Sequence, residues 1–347
     1  MMTPPGSYDE ALERLHHTGP EFEGWLSNHG PMAVEALARR GASEAIHGWT
    51  DRYVARLDAA PVARFRVGPQ DWHHDFGNAV LLGEWRDFFL AEVAEYGWAA
   101  TVATWWPRLL PGIASSATHG VIRLGHAIQA TLAEQTAPRV AEIAHALGYW
   151  AARWEPVAIP SASGGGDPAA LLEGMPAIPD QRFGIRYRLR QLAVTPGFGP
   201  AVEGLRRPTS AREVPAALAA LVDATVTTYP RIAHGHPTLL VHAATAPNAV
   251  LMALPGLPEA LWLDSFDAAW MAAAAVVAAY RPRDRALGAP VAPVAPATTD
   301  AEQAWERAVA DGGDHIVKFA DTALGAWERT ADPATLSAID TAIRLRA

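Results

Sequence analysis

The segment 118–134, THGVIRLGHAIQATLAE, indicates the fold class more clearly than any other part of the chain. Its apolar residues recur at intervals of three and four, as one face of an α-helix requires. His119 and His126 are seven residues apart, close to two helical turns, so their imidazoles share a face. Because only Arg123 and Gln129 are polar nearby, the sequence predicts a helix that is buried nearly all round.

Similar Ala-rich segments recur along the whole chain. Several follow Ser, Thr, Asp or Asn, or carry Pro in the first turn, as helix starts do. Alternating β-branched stretches are scarce, and 181–192 fits a strand or a helix equally well. We therefore predict an all-α fold, a single large helical domain with a buried histidine-rich site between helices. The predicted helices cover residues 31–40, 85–98, 118–134, 138–153, 215–227, 237–246, 265–280 and 314–328.

Two stretches rich in Pro, the first also rich in Gly, at about 155–179 and 281–300, are interpreted as linkers or surface loops. They divide the chain into three parts, and the candidate ligands described below fall on all three. The 347 residues suffice for one large domain or two lobes. We predict one helical domain over 1–347, because ligands from all three parts must meet in one folded unit.

The composition excludes several classes of protein. Half of the residues are hydrophobic and 19% are charged, which predicts a folded chain. The net charge of −9 without a basic block argues against nucleic-acid and anionic-membrane partners. Without cysteine there are no disulfides, thiolate metal sites or cysteine nucleophiles. The polar N-terminus does not resemble a signal peptide, and the apolar run 268–280 is too short to span a bilayer, so we expect a cytoplasmic protein.

Common catalytic motifs are missing from the sequence. No G-x-G-x-x-G opens a helix after a strand, and neither H-E-x-x-H nor G-x-S-x-G occurs. Of the 28 basic residues only Lys318 is a lysine, and its Val-Lys-Phe context excludes a phosphate-binding G-K-[ST] loop. A bias toward Arg explains the other basic residues, whereas the single lysine suggests a chemical role that Arg cannot fill.

The histidines are the main candidates for a functional site. Buried imidazoles need partners, so His119 and His126 are either metal ligands or core residues bonded to carbonyls or carboxylates. His29 lies at the entrance of the helix that starts at 31, and His242 lies in an apolar helix; each is a structural residue or a ligand. The sequence His73-His74-Asp75 also fits part of an iron triad, but such triads typically sit on a β-barrel.

Lys318 closes the stretch Asp314-His-Ile-Val-Lys318, which begins a helix after two glycines. Lys318 lies off the apolar stripe of this helix and near Asp321, which indicates a solvated surface. Conversely, a positive charge in the first turns of a helix is poorly placed against the helix dipole. The sequence leaves both interpretations open.

Taken in chain order, these motifs resemble the questin oxidase-like family. The resemblance extends from residue 8 to about 325. The matching stretches are Tyr8-Asp-Glu-Ala-Leu12, Asn28-His-Gly-Pro-Met32, Thr118-His-Gly-Val-Ile-Arg-Leu-Gly-His126, Leu240-Val-His242 and Asp314-His-Ile-Val-Lys318.

The resemblance implies an all-helical oxidoreductase with a non-haem iron centre. Fungal members of the family open anthraquinone rings with dioxygen in a Baeyer–Villiger-like outcome. It also implies that the lysine of the D-H-x-x-K stretch is a carboxylated ligand. On this chain the implied metal ligands are His29, His119, His126, His242, His315 and Lys318.

For the substrate, the resemblance implies a planar aromatic polyketide, which would stack on tryptophans such as Trp105 and Trp106. Arg123 would act as a catalytic residue that steers a phenolate or a developing oxyanion. The chain is shorter and richer in Ala than the fungal enzymes, so the substrate stays open. Two other functions fit the same residues: a zinc or manganese hydrolase that uses the same histidine cluster, and a non-catalytic helical binding protein.

Overall fold

The structure is a computed structural model that describes residues 7–68, 70, 72–283 and 300–346. Helices make up almost all of its regular structure. The two strands of the described residues, β1 (Glu21–Phe22) and β2 (Leu26–Ser27), form one short antiparallel hairpin. The predicted all-α fold is therefore confirmed.

The α-helices are named in chain order. They are α1 (Ser7–His16), α2 (Gly30–Arg39), α3 (Ser43–Val54), α4 (Trp72–Asp75), α5 (Leu82–Tyr96), α6 (Trp98–Leu109), α7 (His119–Ala133), α8 (Ala137–Ala152), α9 (Pro168–Gly174), α10 (Ile185–Leu189), α11 (Phe198–Glu203), α12 (Val214–Ile232), α13 (Pro237–Leu240), α14 (His242–Ala253), α15 (Trp262–Tyr280), α16 (Ala301–Asp311), α17 (Asp314–Thr330) and α18 (Pro333–Leu345). Short 3₁₀ turns lie at Ala79–Leu81, Leu110–Gly112, Ser115–Thr118, Leu192–Val194, Ala211–Glu213, Leu254–Gly256 and Glu259–Leu261.

The chain forms two compact units, residues 1–156 with 252–258 and residues 157–251 with 259–347. In the first unit, α8 is the central helix, and α5 and α7 pack along it. α2 packs against α7, and α1 lies against α2, α3 and α8. In the second unit, α12 contacts α9, α15, α17 and α18, while α16, α17 and α18 pack on one another. The expectation of one domain over 1–347 stays a prediction.

Two glycines permit the close packing around α8. A Cβ atom at Gly148 would lie 2.9 Å from the backbone nitrogen of Arg86 on α5. A Cβ atom at Gly120 on α7 would lie 2.5 Å from the side chain of Trp150. Because such distances are shorter than van der Waals contact, α5 and α7 approach α8 this closely only where no side chain intervenes.

The structure shows which conformation the stretch 181–192 and the predicted loops adopt. Residues 181–192 contain the short helix α10 and no strand. The loop at 155–179 is irregular apart from α9, whose first turn is capped by the Asp167 carboxylate accepting from the N–H of Ala169 at 2.9 Å. Of the predicted loop 281–300, residues 284–299 lie outside the described residues.

Two helical segments, Pro237–Gly256 and Glu259–Tyr280, are long and apolar enough to cross a membrane by length and composition. They are longer than the apolar run 268–280 suggests. However, 78% and 72% of their apolar windows are buried inside the protein, as in core helices, so they indicate a membrane only weakly. The expectation that the chain binds no membrane stays a prediction.

The close approach at Gly148 yields a stability test. We expect Gly148→Ala to lower the free energy of unfolding by about 1–3 kcal/mol, because the added methyl group would force the backbone of α5 to move. Gly48, also inside a helix of this unit, is the matched control, since a Cβ there meets only the Arg52 side chain at 3.6 Å. Gly48→Ala should stabilise by up to about 1 kcal/mol through helix propensity. Urea unfolding measures both changes, and equal effects would contradict the packing argument.

Candidate metal centre

His119 is the first residue of α7 and follows a strained turn. Ser116, Ala117 and Thr118 have φ angles of 47°, 52° and 70°, in the left-handed region that residues with a Cβ rarely adopt. His119 Nδ1 is hydrogen-bonded to the carbonyl oxygen of Ser116. Because a carbonyl only accepts, Nδ1 carries the proton and the lone pair of the neutral ring is on Nε2.

His29 is held at the start of α2 by bonds on both sides. Its backbone N–H donates to the Tyr53 hydroxyl at 2.7 Å. The neighbouring Asn28 side chain accepts from the N–H of Gly30 at 2.9 Å and donates to the carbonyl of Gly19 at 2.9 Å. The Nε2 atom of His29 lies 2.6 Å from Nε2 of His119, and both rings are buried. The same nitrogen of each ring therefore points at the other.

His242 and His315 show the same use of their ring nitrogens. Nδ1 of His242 donates to the Leu239 carbonyl at 3.0 Å, and Nδ1 of His315 donates to the Asp314 carboxylate at 2.9 Å. Their ring centroids are 5.2 Å apart, with the ring planes at 73°. Both rings thus keep Nε2 as a potential ligand atom.

These histidines form a buried group that could bind a metal ion. One ligand atom from each lies within 4.8 Å of all the others. In three of the four, Nδ1–H donates to an oxygen acceptor, which is how proteins fix the tautomer of metal-ligating imidazoles. The four-histidine group consists of His29, His119, His242 and His315.

Lys318 is fully buried on α17, three residues after His315 and therefore on the same side of the helix. Its Nζ atom has no hydrogen-bond partner among the described residues. Burial lowers the pKa of Lys318 to about 8, although Asp314 acts to raise it. The interpretation of this face as solvated is wrong, because Asp321 and Thr322 on the same helix are buried as well.

The other two predicted residues of α7 have carboxylate partners. His126 lies outside the four-histidine group, with Nδ1 2.7 Å from the Glu35 carboxylate. The Arg123 guanidinium donates to both oxygens of Glu142, at 2.5 Å and 2.9 Å, in a buried pair. The ligand role of His126 and the catalytic role of Arg123 stay predictions, and neither carboxylate partner was among the predicted site residues.

A second group of possible ligands surrounds Glu142. Ligand atoms of His16, Glu142 and His145 lie within 4.8 Å of one another. Burial acts to raise the pKa of Glu142, but Arg123 and His16 outweigh it and lower the pKa to about 2. Because Arg123 already neutralises this carboxylate, a divalent cation would add two uncompensated charges beside a guanidinium. The Arg123 guanidinium would repel a cation there, so we take the four-histidine group as the candidate metal centre.

The remaining candidates lie elsewhere. Trp105 and Trp106 are buried in the core, and Trp105 packs edge-on against Trp85 and Phe89. His73 and His74 are exposed on α4 and belong to neither group of possible ligands found among the described residues.

Sequence reasoning missed Glu35 and Glu142, although each left a signal. Both are isolated carboxylates in otherwise apolar helical segments, MAVEALA and VAEIA. A lone acid in such a segment needs a partner, since a buried unpaired charge is costly.

No protein-family model and no curated protein sequence matches this chain. Its likeness to the questin oxidase-like family therefore stays a resemblance of motifs.

The buried amine predicts an unusual pH dependence for the metal-free protein. Since the folded pKa of Lys318 is about 8 rather than 10.5, the charge costs about 3 kcal/mol at pH 7, at 1.36 kcal/mol per pKa unit. Between pH 8 and 10.5 only the unfolded chain keeps this proton, so wild-type stability rises with pH. We expect Lys318→Met to stabilise by roughly 2–3 kcal/mol at pH 7 and by little above pH 10.5.

Urea unfolding of metal-free protein at both pH values measures this difference. The exposed Arg52 on α3 supplies the control, because Arg52→Met removes a charge without changing a buried one. A gain for Lys318→Met that persists unchanged above pH 10.5 would contradict a buried charge as its cause.

The Arg123–Glu142 pair should be far more sensitive to substitution than a surface pair. Glu142→Gln leaves a buried guanidinium without a counter-charge, and we expect a loss of about 3–5 kcal/mol at pH 7. The folded pKa of Glu142 is depressed, so the contribution of this carboxylate is present above pH 4.5 and is lost as the pH falls toward 2. In the control, Asp51→Asn breaks the exposed pair with Arg14 and should cost less than about 1 kcal/mol. Chemical denaturation between pH 3 and 7 compares the two variants, and similar losses would refute the assignment.

Proposed function

We propose that this protein is a metal-dependent oxidoreductase and that its four-histidine group holds the metal. The observation that carries the proposal is the convergence of four histidine ligand atoms within 4.8 Å of one another. Neutral imidazoles whose tautomers are fixed by bonds at Nδ1 are suitable metal ligands, and three of the four rings have such a bond.

The ligand set supports a transition metal. Imidazole nitrogens suit iron, zinc, copper and nickel better than calcium or magnesium, which prefer oxygen ligands. Among the transition metals, the resemblance to the questin oxidase-like family favours non-haem iron. We therefore propose iron, which when bound would supply the redox chemistry for a reaction with dioxygen.

We propose that Lys318 provides the anionic ligand that neutral imidazoles cannot. With a pKa of about 8, roughly one amine in ten is neutral at pH 7. When carbon dioxide adds to the neutral amine, a nitrogen–carbon bond forms and one proton leaves, and the resulting carbamate is an oxygen-donor anion. The absence of a hydrogen-bond partner at Nζ among the described residues supports this role, because no protein group there would compete for the amine.

For the reaction, we propose oxidation of an aromatic polyketide-type compound with a ring-cleaving or Baeyer–Villiger-like outcome. The support for this substrate class is the motif resemblance alone. The chain would act with dioxygen and an electron donor of unspecified chemistry.

Metal analysis tests the proposal directly. Protein expressed with added iron should carry about one iron per chain, and His119→Ala and His242→Ala should each weaken binding by tenfold or more. The exposed His73 is the matched control, and His73→Ala should keep the iron of the wild-type protein. Metal-free wild-type protein from iron-supplemented cells would overturn the proposal.

Oxygen-electrode assays with a hydroxylated anthraquinone then separate the candidate functions. An oxygenase consumes oxygen only in the presence of iron and substrate. Protein that carries zinc or manganese and consumes no oxygen would support the hydrolase alternative. If histidine substitutions change only stability and no metal binds, the chain is a helical binding protein.

A further inference from the structure

The hydroxyl of Tyr149 on α8 is the centre of a buried hydrogen-bond network in the first unit. It lies 2.5 Å from Oγ of Ser27, and it donates to the Glu21 carboxylate at 3.3 Å. The Ser116 hydroxyl also lies within hydrogen-bonding reach of Tyr149. Burial, reinforced by Glu21, raises the pKa of Tyr149 well above its usual range, so the phenol stays a neutral donor.

The contact with Ser27 leads to His29. Ser27 ends β2 and is two residues from His29. Asn28, between them, is bonded through its side chain to Gly19 and Gly30, so it has little freedom to absorb a displacement. A shift of Ser27 is therefore passed on to the His29 ring.

The contact with Ser116 leads to His119. The carbonyl of Ser116 is the acceptor that fixes the tautomer of His119. This residue and the next two have positive φ angles, a conformation that persists only where the surroundings enforce it. Ser115, just before, is anchored as well, since its hydroxyl donates to the carbonyl of Glu155 at 3.0 Å and accepts from the same residue's N–H at 2.7 Å.

We propose that Tyr149 is a positioning residue, which sets the distance and orientation between the Nε2 atoms of His29 and His119 through Ser27 and Ser116. The inference rests on the proposed metal-binding function, which it extends to a residue that touches neither histidine. Without the Tyr149 hydroxyl, the segments around Ser27 and Ser116 lose a hydrogen-bond partner that they share. The left-handed turn at 116–118 can then relax and move the Ser116 carbonyl away from His119 Nδ1.

The first test compares metal affinities, with cobalt(II) as a spectroscopic probe added to metal-free protein. We expect Tyr149→Phe to weaken cobalt binding about 10- to 100-fold, as removal of outer-shell partners does, and to alter the cobalt absorption bands. Ser27→Ala and Ser116→Ala should each weaken binding by a smaller factor. The control is Tyr229→Phe, which deletes a buried hydroxyl of the second unit that bonds to the Pro237 carbonyl at 3.3 Å.

The second test needs no metal. Nitrogen-15 NMR of labelled histidine reports which ring nitrogen carries the proton. We expect His119 to be the Nδ1–H tautomer in the wild type and a mixture of the Nδ1–H and Nε2–H tautomers in Tyr149→Phe. If the wild type binds no cobalt but the tautomer responds, the metal function fails while the positioning role stands. An unchanged affinity and tautomer in Tyr149→Phe, or an equal loss in Tyr229→Phe, would overturn the proposal. If Tyr149→Phe does not fold, the two serine variants decide by the same measurements.

Discussion

The hydrogen bond from His119 Nδ1 to the Ser116 carbonyl determines which ring nitrogen faces His29. A carbonyl cannot donate, so this bond leaves Nε2 unprotonated and aims its lone pair away from the backbone. The acceptor is available only because residues 116–118 adopt left-handed conformations, which are unfavourable for side chains with a Cβ. Backbone strain and ligand geometry are thus linked at one turn, and the close packing of α7 on α8 keeps that turn in place.

Two basic side chains buried in the first unit each lie against a buried carboxylate. Arg123 is matched by Glu142, and His126 is matched by Glu35. The contact with Glu142 offsets the electrostatic cost of burying the Arg123 charge. In the four-histidine group, His119, His242 and His315 donate Nδ1–H to protein oxygens, which makes Nε2 the candidate ligand atom of each ring. His126 and His315 each place Nδ1 against a carboxylate, but only His315 belongs to the four-histidine group that could hold a metal.

Much of the fold was predictable from the sequence, whereas only part of the site was. Helical spacing and N-terminal Pro and Asp residues correctly predicted helices such as α7 and α17, since both signals are local. The spacing also placed His119 and His126 on one face, but it could not show that they have different partners, because Glu35 and His29 come from a distant segment. The sequence left the environment of Lys318 open for a related reason. A helical wheel describes the apolar stripe of one helix only, and α17 is buried beyond that stripe.

The buried amine of Lys318 favours the proposed metal centre over an inert histidine core. An uncompensated charge at Lys318 costs about 3 kcal/mol at neutral pH, a large part of the stability of a typical domain. Methionine would fill a similar volume without that cost, so packing offers no reason for lysine. A metal centre does offer one, because four neutral imidazoles leave the charge of a divalent ion unbalanced, and a carbamate formed on this amine would supply an anion. Under the proposed function, the burial that makes the charged amine costly in the metal-free state would also supply the neutral amine that carbamate formation requires.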